Sequence, residues 1–388
     1  MSMRVLHVTP YFAPAFRYGG PPQSILGLCK GLAEASVSAE VLTTTANGAG
    51  ELPAEIVDED EFEGVPVHYL PRGFPRRLFR PRCLGKTLRE RLDHINIVHV
   101  HGLWNWPVWA AVRECRRVGL PYVVSPRGML DRGSFSHHRW RKSLGYWAWE
   151  KRYLRTAALL HATSVEERHN VERLSLGPEV IHVPNGVTTP DRTPAHGFRR
   201  EVGIGEKEPL VLFLGRLHPT KRLDLLLSAV EKLREGMPRV RLVLAGPEDG
   251  LEANALIGER SAEDWVSWVG PVATERKWAL LSEANVLALC SDSESFGMSV
   301  VEAMAVGTPV VVTRTCPWEE VEARGTGFWV DQRAEAVAEG LSRILGDPVE
   351  ARAMGVRGRE LVRARYQWCA IGRAMAAHYA RVLSARLS

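Results

Sequence analysis

Residues 291–312 read SDSESFGMSVVEAMAVGTPVVV and follow directly on the apolar run VLALC at 286–290. A short apolar run, a polar loop, a helix-forming stretch, then Gly307-Thr308-Pro309 and a second apolar run predict strand, loop, helix and strand. That order is the repeating unit of a parallel sheet with crossover helices. Sheets of this kind take their ligands at the carboxyl ends of the strands. Here that end carries Glu294 in the loop, Gly297 at its close, and a helix from about Met298 to Val306. The unpaired N–H groups of Phe296, Gly297 and Met298, aided by the helix dipole, suit the oxygens of a phosphate or a sugar. Ionised carboxylates only accept hydrogen bonds, so Glu294 and Glu302, one turn into the helix, suit hydroxyl groups of that ligand rather than its phosphates.

The same alternation extends in both directions. Toward the carboxyl side of the chain, strands are expected at Val240–Ala245, Val266–Val269, Pro309–Val312 and Phe328–Val330, and helix from Ala334 onward. This series opens with a strand at Leu210–Leu214 and a helix whose apolar face is Leu223, Leu226, Leu227, Val230 and Leu233, stopped by Gly236. An earlier series opens with Val5–Val8 and a helix carrying Ile25, Leu28, Cys29 and Leu32 on one face, with further strands at Val41–Thr44, Ile97–Val100, Tyr122–Ser125 and Val180–Val183. Between the two lies VPNGVTTPDRTPAHG, residues 183–197, whose proline and glycine content predicts an interdomain linker. The class is therefore α/β, with two doubly wound domains, 1–190 and 191–365.

Composition agrees with a folded chain. At 388 residues, 45% hydrophobic and 24% charged, neither a disordered protein nor a fibre fits. No apolar run approaches the roughly 18 residues of a spanning helix, and the opening MSMRVLHVTPYF reads as a strand rather than a signal peptide, so a cytoplasmic protein is expected. Six cysteines without a C-x-x-C pair argue against a disulfide framework or a structural zinc site. The net charge of +5 comes from the first half, where Arg72, Arg76, Arg77, Arg80, Arg82, Lys86, Arg89 and Arg91 cluster. A second basic group, Arg132 to Arg155, is interleaved with Phe135, Trp140, Tyr146, Trp147, Trp149 and Tyr153. Such a face suits an anionic membrane surface or an anionic substrate. A solvated face over buried aromatics fits equally well. No nucleic-acid recognition motif accompanies the charge.

Three further segments carry candidate chemistry. In LGRLHPTKRLD, residues 214–224, Arg216 and Lys221 stand before a predicted helix. Cations there are unfavourable unless an anion is present, and the pair can neutralise a departing diphosphate without a metal ion. In YGGPPQS, residues 18–24, Gly19 and Gly20 permit close backbone approach to a phosphate. In VHVHG, residues 98–102, the period of two places His99 and His101 on one strand face. No third ligand is evident, so no metal site is expected and His101 is read as a site residue. The other eleven histidines are read as ordinary surface or core residues. Asp58 and Asp60 form a literal D-x-D within the acidic loop DEDEFE, read as solvated charge.

Together these segments resemble glycosyltransferase family 4, enzymes with the GT-B fold, including those of bacterial polysaccharide assembly. The resemblance runs nearly end to end: Gly19-Gly20, VHVHG at 98–102, PNGV at 184–187, GRL with Lys221, AGP at 245–247, ESFG at 294–297 through Glu302, and GTPVV at 307–311. It implies two Rossmann-like domains facing a cleft, the N-terminal for the acceptor and the C-terminal for the nucleotide sugar. It also implies a last helix crossing back onto the N-terminal domain, a role that Tyr366, Trp368 and the stretch 366–388 suit. The implied reaction is retaining transfer of a hexose-type sugar from a UDP- or GDP-linked donor to a glycan or lipid-linked glycan, without cofactor or metal. Glu294 would contact donor-sugar hydroxyls, Glu302 the ribose, and Arg216 and Lys221 the diphosphate, while His101 lies near the reacting sugar. Gly19, Gly20, Gly246, Phe296, Gly297 and Met298 complete the nucleotide site. One departure is SPRGML, residues 125–130, where many members carry a histidine and this chain has Arg127. Arg127 and Asn185 become candidate acceptor residues, and an arginine favours an anionic acceptor.

Two other readings suit the same residues. A nucleotide-sugar epimerase of the same fold would need no acceptor. A non-catalytic, two-lobed sugar-binding protein would leave the cations beside the two glutamates without purpose.

Overall fold

The computed structural model describes residues 3–131, 150–189, 197–258 and 265–386. Two compact units make up the chain, Met1–Gly186 with Trp368–Ser388, and Val187–Gln367. The first contains β1 (Arg4–Val8), β2 (Ser38–Thr44), a small hairpin of β3 (Ala46–Asn47) and β4 (Gly50–Glu51), β5 (Glu61–Phe62), β6 (Val65–Leu70), β7 (Ile97–His101), β8 (Tyr122–Ser125), β9 (Leu159–Ala162) and β10 (Val180–His182). Its main sheet runs β10-β9-β8-β7-β1-β2-β6-β5 and is parallel except where β5 meets β6. Strands β6 and β9 fall outside the sequence expectation. Pro66 and His68 interrupt the apolar run of the one and His161 that of the other.

Both faces of this sheet are buried, which is why its strands are rich in apolar residues on both sides and polar residues interrupt them at only a few positions. One face bears Leu6, Val98, Val100, Val124 and Leu160. The opposite face bears Val5, Val41, Ile97, Val123, Leu159 and Ile181, covered by the helix Gly20–Glu34 and the last helix, Trp368–Ser384. These two helices touch backbone to backbone. A Cβ on Gly31 would strike the Trp368 carbonyl, and one on Gly372 the Gly31 carbonyl. The Trp368 indole fills the space left by Gly27 and Gly186. Deleting such a buried aromatic costs about 3–5 kcal/mol.

The second unit is a six-stranded parallel sheet of β11 (Leu210–Leu214), β12 (Arg241–Ala245), β13 (Val266–Trp268), β14 (Val286–Leu289), β15 (Val310–Thr313) and β16 (Gly327–Val330). Its order is β13-β12-β11-β14-β15-β16. The chain winds outward from β11 in one direction and from β14 in the other, so the switch point lies between them. Loops leaving the carboxyl ends of β11 and β14 therefore flank the natural ligand crevice of this unit. In the first unit the same reversal falls between β1 and β7.

The basic cluster divides by role. Arg72 is buried, pairing with Glu51 at 2.9 Å and donating to the carbonyls of Gly48 and Gly50, so it braces the β3–β4 hairpin. Arg91 pairs with Glu40. Arg76, Arg77, Arg80, Arg82 and Arg89 are exposed. Basic and aromatic residues of 132–149, including Phe135, Trp140, Tyr146, Trp147 and Trp149, lie outside the described residues. No helix among the described residues is long and apolar enough to cross a membrane. Cys29, Cys115, Cys290 and Cys316 are buried, Cys83 is exposed and Cys369 intermediate.

Candidate active site

The loops at the β11/β14 switch point are held together by charge. Lys221, at the end of the loop after β11, forms a salt bridge to Glu294 in the loop after β14. Ser291 Oγ donates a second hydrogen bond to the same carboxylate at 2.7 Å, and the Asp292 N–H donates to the Thr220 carbonyl at 2.8 Å. Arg216 pairs with Asp249. Both cations are thus neutralised by carboxylates, where the sequence suggests free charges waiting for phosphate. Arg222, with a left-handed backbone at φ 51°, binds Asp224 and Asp292.

Gly297 caps the helix Met298–Val306 at φ 85°, a conformation a side chain rarely adopts. A Cβ there would lie 3.0 Å from the Trp318 indole nitrogen, which donates to the Phe296 carbonyl. Phe296 packs with Trp318 and Tyr366, so its side chain is an anchor and only its backbone serves the helix start. No acidic residue occupies the first turn, and the Met298 and Ser299 N–H groups have no intrahelical carbonyl to meet. Glu302 points elsewhere, into a buried pair with Lys277 at 2.7 Å. Gly246, at φ 140° after β12, lies against the backbone of Gly215, where a Cβ would strike the carbonyl. Its sequence motif thus has a packing cause.

In the first unit, strand register assembles a polar network that no local motif announces. β1 pairs with β7 so that His7 lies beside His99, and β7 pairs with β8 so that His101 lies beside Ser125. In-register neighbours of a parallel sheet share a face, so His7, His99, His101, Ser125 and His161 line one side of its carboxyl end. Their hydrogen bonds fix every tautomer. His161 Nε2 faces the Val183 carbonyl at 2.7 Å and must carry a proton, so its Nδ1 accepts from Ser125 Oγ at 2.6 Å. Ser125 Oγ then accepts from His99 Nε2 at 2.7 Å, and His99 Nδ1 accepts from Tyr379 of the last helix at 2.6 Å. At the other end Arg127 donates to His101 Nδ1 at 3.2 Å, so His101 Nε2 donates to His7 Nδ1 at 2.9 Å. The His7 Nε2–H is left buried without a partner.

All four imidazoles are neutral. Burial, then the Arg127 charge, lowers His7 to about 3, and the same two causes lower His161 to about 3. His99 and His101 are pushed well below the usual range by burial and then by their neighbours. His7, His99 and His101 place three ring nitrogens within 4.8 Å of one another, so β1 supplies the third histidine that the sequence does not reveal. The lone pair of each ring is already accepting a hydrogen bond, and a guanidinium stands beside them. The cluster is therefore built as a chain of oriented donors rather than as a cation site. His101 is 2% exposed, enclosed within this chain. Arg127 also donates to Ser24 Oγ at 3.2 Å and to Asn185 Oδ1 at 2.8 Å, which ties both acceptor candidates to the helix that begins at Gly20. Gly19 precedes that helix at φ 85°.

Comparison with known proteins accounts for these two units. The family described as glycosyl transferase 4-like domain matches residues 19–186, and that described as glycosyl transferases group 1 matches 196–361. A D-inositol 3-phosphate glycosyltransferase of Kineococcus radiotolerans is 27% identical over 100% of this chain and 96% of its own length. A GDP-mannose-dependent alpha-(1-6)-phosphatidylinositol monomannoside mannosyltransferase of Mycobacterium tuberculosis is 34% identical over 48% of this chain and 52% of its own. Among solved structures, sucrose-phosphate synthase of Thermosynechococcus elongatus aligns with a TM-score of 0.77 at 24% identity, covering 99% of this chain and 100% of that one. HepE of Anabaena, solved with UDP and glucose, aligns at 0.74 and 18% identity, covering 98% and 100%. With the two family models together matching residues 19–186 and 196–361 and the GT-B fold in both neighbours, the chain belongs to the family 4-type glycosyltransferases.

Proposed function

We propose that this glycosyltransferase moves a hexose-type sugar, with retention, from a UDP- or GDP-linked donor to a glycan or lipid-linked acceptor, without a metal ion. The observation that carries the reading is the Lys221–Glu294 pair at the β11/β14 switch point, beside a helix start without an acidic residue. A diphosphate entering there offers Lys221 a stronger anion than one carboxylate. Lys221 turns to the phosphate, and Glu294 is released to accept hydrogen bonds from the donor-sugar hydroxyls. Arg216 exchanges Asp249 for the diphosphate in the same way. These cations and the Met298 N–H then stabilise the charge that develops on the leaving group. Glu302, oriented by Lys277, accepts from the ribose. His101, kept neutral with its Nε2–H toward His7, and the backbone of Gly19 and Gly20 are the first unit's own candidates for contact with substrate. The relatives support this reading, since one is a GDP-mannose-dependent mannosyltransferase, another a D-inositol 3-phosphate glycosyltransferase, and HepE was solved with UDP and glucose.

Release of nucleoside diphosphate tests the reading. It should require acceptor and leave the donor sugar on the product. Conversion of one nucleotide sugar into another without acceptor would instead make the protein an epimerase.

A further inference from the structure

Arg127 is a half-buried cation that no carboxylate pairs with among the described residues. Its guanidinium donates to three neutral acceptors, Ser24 Oγ, Asn185 Oδ1 and His101 Nδ1. Among the described residues no carboxylate lies within 4.0 Å of it. The carboxylate whose charge acts on it, Glu167, is engaged by the Gly128 N–H at 2.6 Å, the Thr163 N–H at 2.7 Å and the Thr163 hydroxyl at 2.8 Å. Of five guanidinium protons, three are used. The Nε–H is buried with no partner, and one Nη2 proton is unfilled as well.

Beyond the field of Glu167, the groups in direct contact with the guanidinium bring no negative charge. Ser24 belongs to the first turns of the helix Gly20–Glu34, which has no acidic residue in its first turn and no side-chain cap. The histidine chain presents only neutral rings, and its tautomers leave His101 Nδ1 as the acceptor that faces Arg127. Arg127 itself sits at φ 56°, a left-handed backbone unfavourable for any residue with a Cβ, and the adjoining Gly128 N–H is fastened by Glu167. A protein region that needed only structural hydrogen bonds at this point would gain more from a neutral donor, because a half-buried charge with no counter-ion and a shielded, unpartnered Nε–H still costs desolvation.

We propose that Arg127 binds an oxyanion of the acceptor, a phosphate or a carboxylate, so that the acceptor is anionic at a group held by this unit. The inference rests on the glycosyltransferase reading above for the word acceptor, and on the first unit alone for the anion. Arginine presents a planar fork that fits either oxyanion bidentately. Ser24 and Asn185 keep that fork in place, which makes them positioning residues.

The test uses the full chain with inorganic phosphate, glucose 6-phosphate, glucuronate and glucose as probes, titrated calorimetrically with and without saturating UDP or GDP. At least one charged sugar should bind about tenfold or more tightly than glucose with the nucleotide site filled. The stronger of glucose 6-phosphate and glucuronate names the oxyanion. Arg127→Gln should abolish the preference and Arg127→Lys should reduce it, with nucleotide affinity unchanged in both. Arg127→Lys keeps the charge and guards against a folding defect in the glutamine variant. Equal binding of charged and neutral sugars, or an anion preference that survives Arg127→Gln, would overturn the proposal. A preference that disappears once nucleotide is bound would also overturn it, by assigning the anion to the donor diphosphate. Failure of both nucleotides to bind would instead count against the donor reading, while the nucleotide-free titrations still decide the anion site.

Discussion

Replacing Lys277 separates the two tasks of the buried Lys277–Glu302 pair. Its side chains are 11% and 5% exposed and 2.7 Å apart. Removing one partner of such a pair strands the other charge, at about 3–5 kcal/mol. For a unit the size of 187–367, each kcal/mol shifts the melting temperature by about 2–4 °C. Lys277→Met should therefore lower the melting temperature of this unit by about 6–20 °C. Replacing the whole pair, as Lys277→Met with Glu302→Leu, should recover most of that loss, because well-packed apolar residues of similar volume substitute for a buried ion pair at little net cost. Nucleotide affinity should not recover. A hydrogen bond to a charged group contributes about 1.5–3 kcal/mol, so the double variant should bind nucleoside diphosphate about 10- to 100-fold more weakly. Calorimetric titration beside thermal melts reads both quantities. A double variant that melts like the parent and binds nucleotide like the parent would refute the ribose role of Glu302 and leave the pair purely structural.

Three further outcomes follow from the same geometry. Turnover should persist in excess EDTA, because Arg216, Lys221 and the helix start supply the positive charge; loss in EDTA with recovery on adding magnesium or manganese would contradict this. The buried histidines are held below their unfolded value of 6.5, so the unfolded chain binds more protons and stability falls as pH drops from 6.5 toward about 3. Each titrating histidine contributes up to about 1.4 kcal/mol per pH unit, and a first unit whose melting temperature is level from pH 7 to pH 4 would refute the neutral chain. Binding to anionic vesicles should fall steeply with added salt and weaken when exposed Arg76, Arg77, Arg80 and Arg82 become glutamine, since each contributes about 1 kcal/mol near such a surface; indifference to vesicles at low salt would assign those arginines to solvent.

The parallel strands were readable because strands buried on both faces are written as apolar runs, as in VLALC and PVVV. Where a polar residue interrupts the run, as His161 does in LLHA and Pro66 in VPVHYL, the strand disappears from the pattern. The loop with Glu294 and the glycine cap at 297 were equally visible, since backbone geometry demands that glycine. Lys277 had no such mark. It lies on the helix Thr274–Glu283 and meets Glu302 only through helix packing, which spacing along the chain does not encode. The histidine network was hidden for a related reason. VLHV, VHVH and LLHA each carry a histidine near the end of an apolar run, and that recurrence is the one available clue, but only strand register makes them neighbours. Likewise the ion pairs of Arg216 and Lys221 are products of loop packing, so their cationic character was legible and their resting partners were not.

The central claim is that residues 187–367 hold a nucleoside diphosphate sugar through Arg216, Lys221, Glu294 and Glu302. It is tested most directly by the thermal response of the parent, Glu294→Ala and Glu302→Ala chains to a panel of UDP- and GDP-sugars and the free diphosphates. A ligand at about 100 times its dissociation constant adds about 2.7 kcal/mol, about 5–11 °C for a unit of this size. At least one nucleotide sugar should raise the parent by that amount. Glu302→Ala should lose the response to sugar-linked and free nucleotide alike, whereas Glu294→Ala should keep the response to the free diphosphate and lose the increment due to the sugar. A parent chain that responds to no member of the panel, or two variants that respond as fully as the parent, would contradict the account.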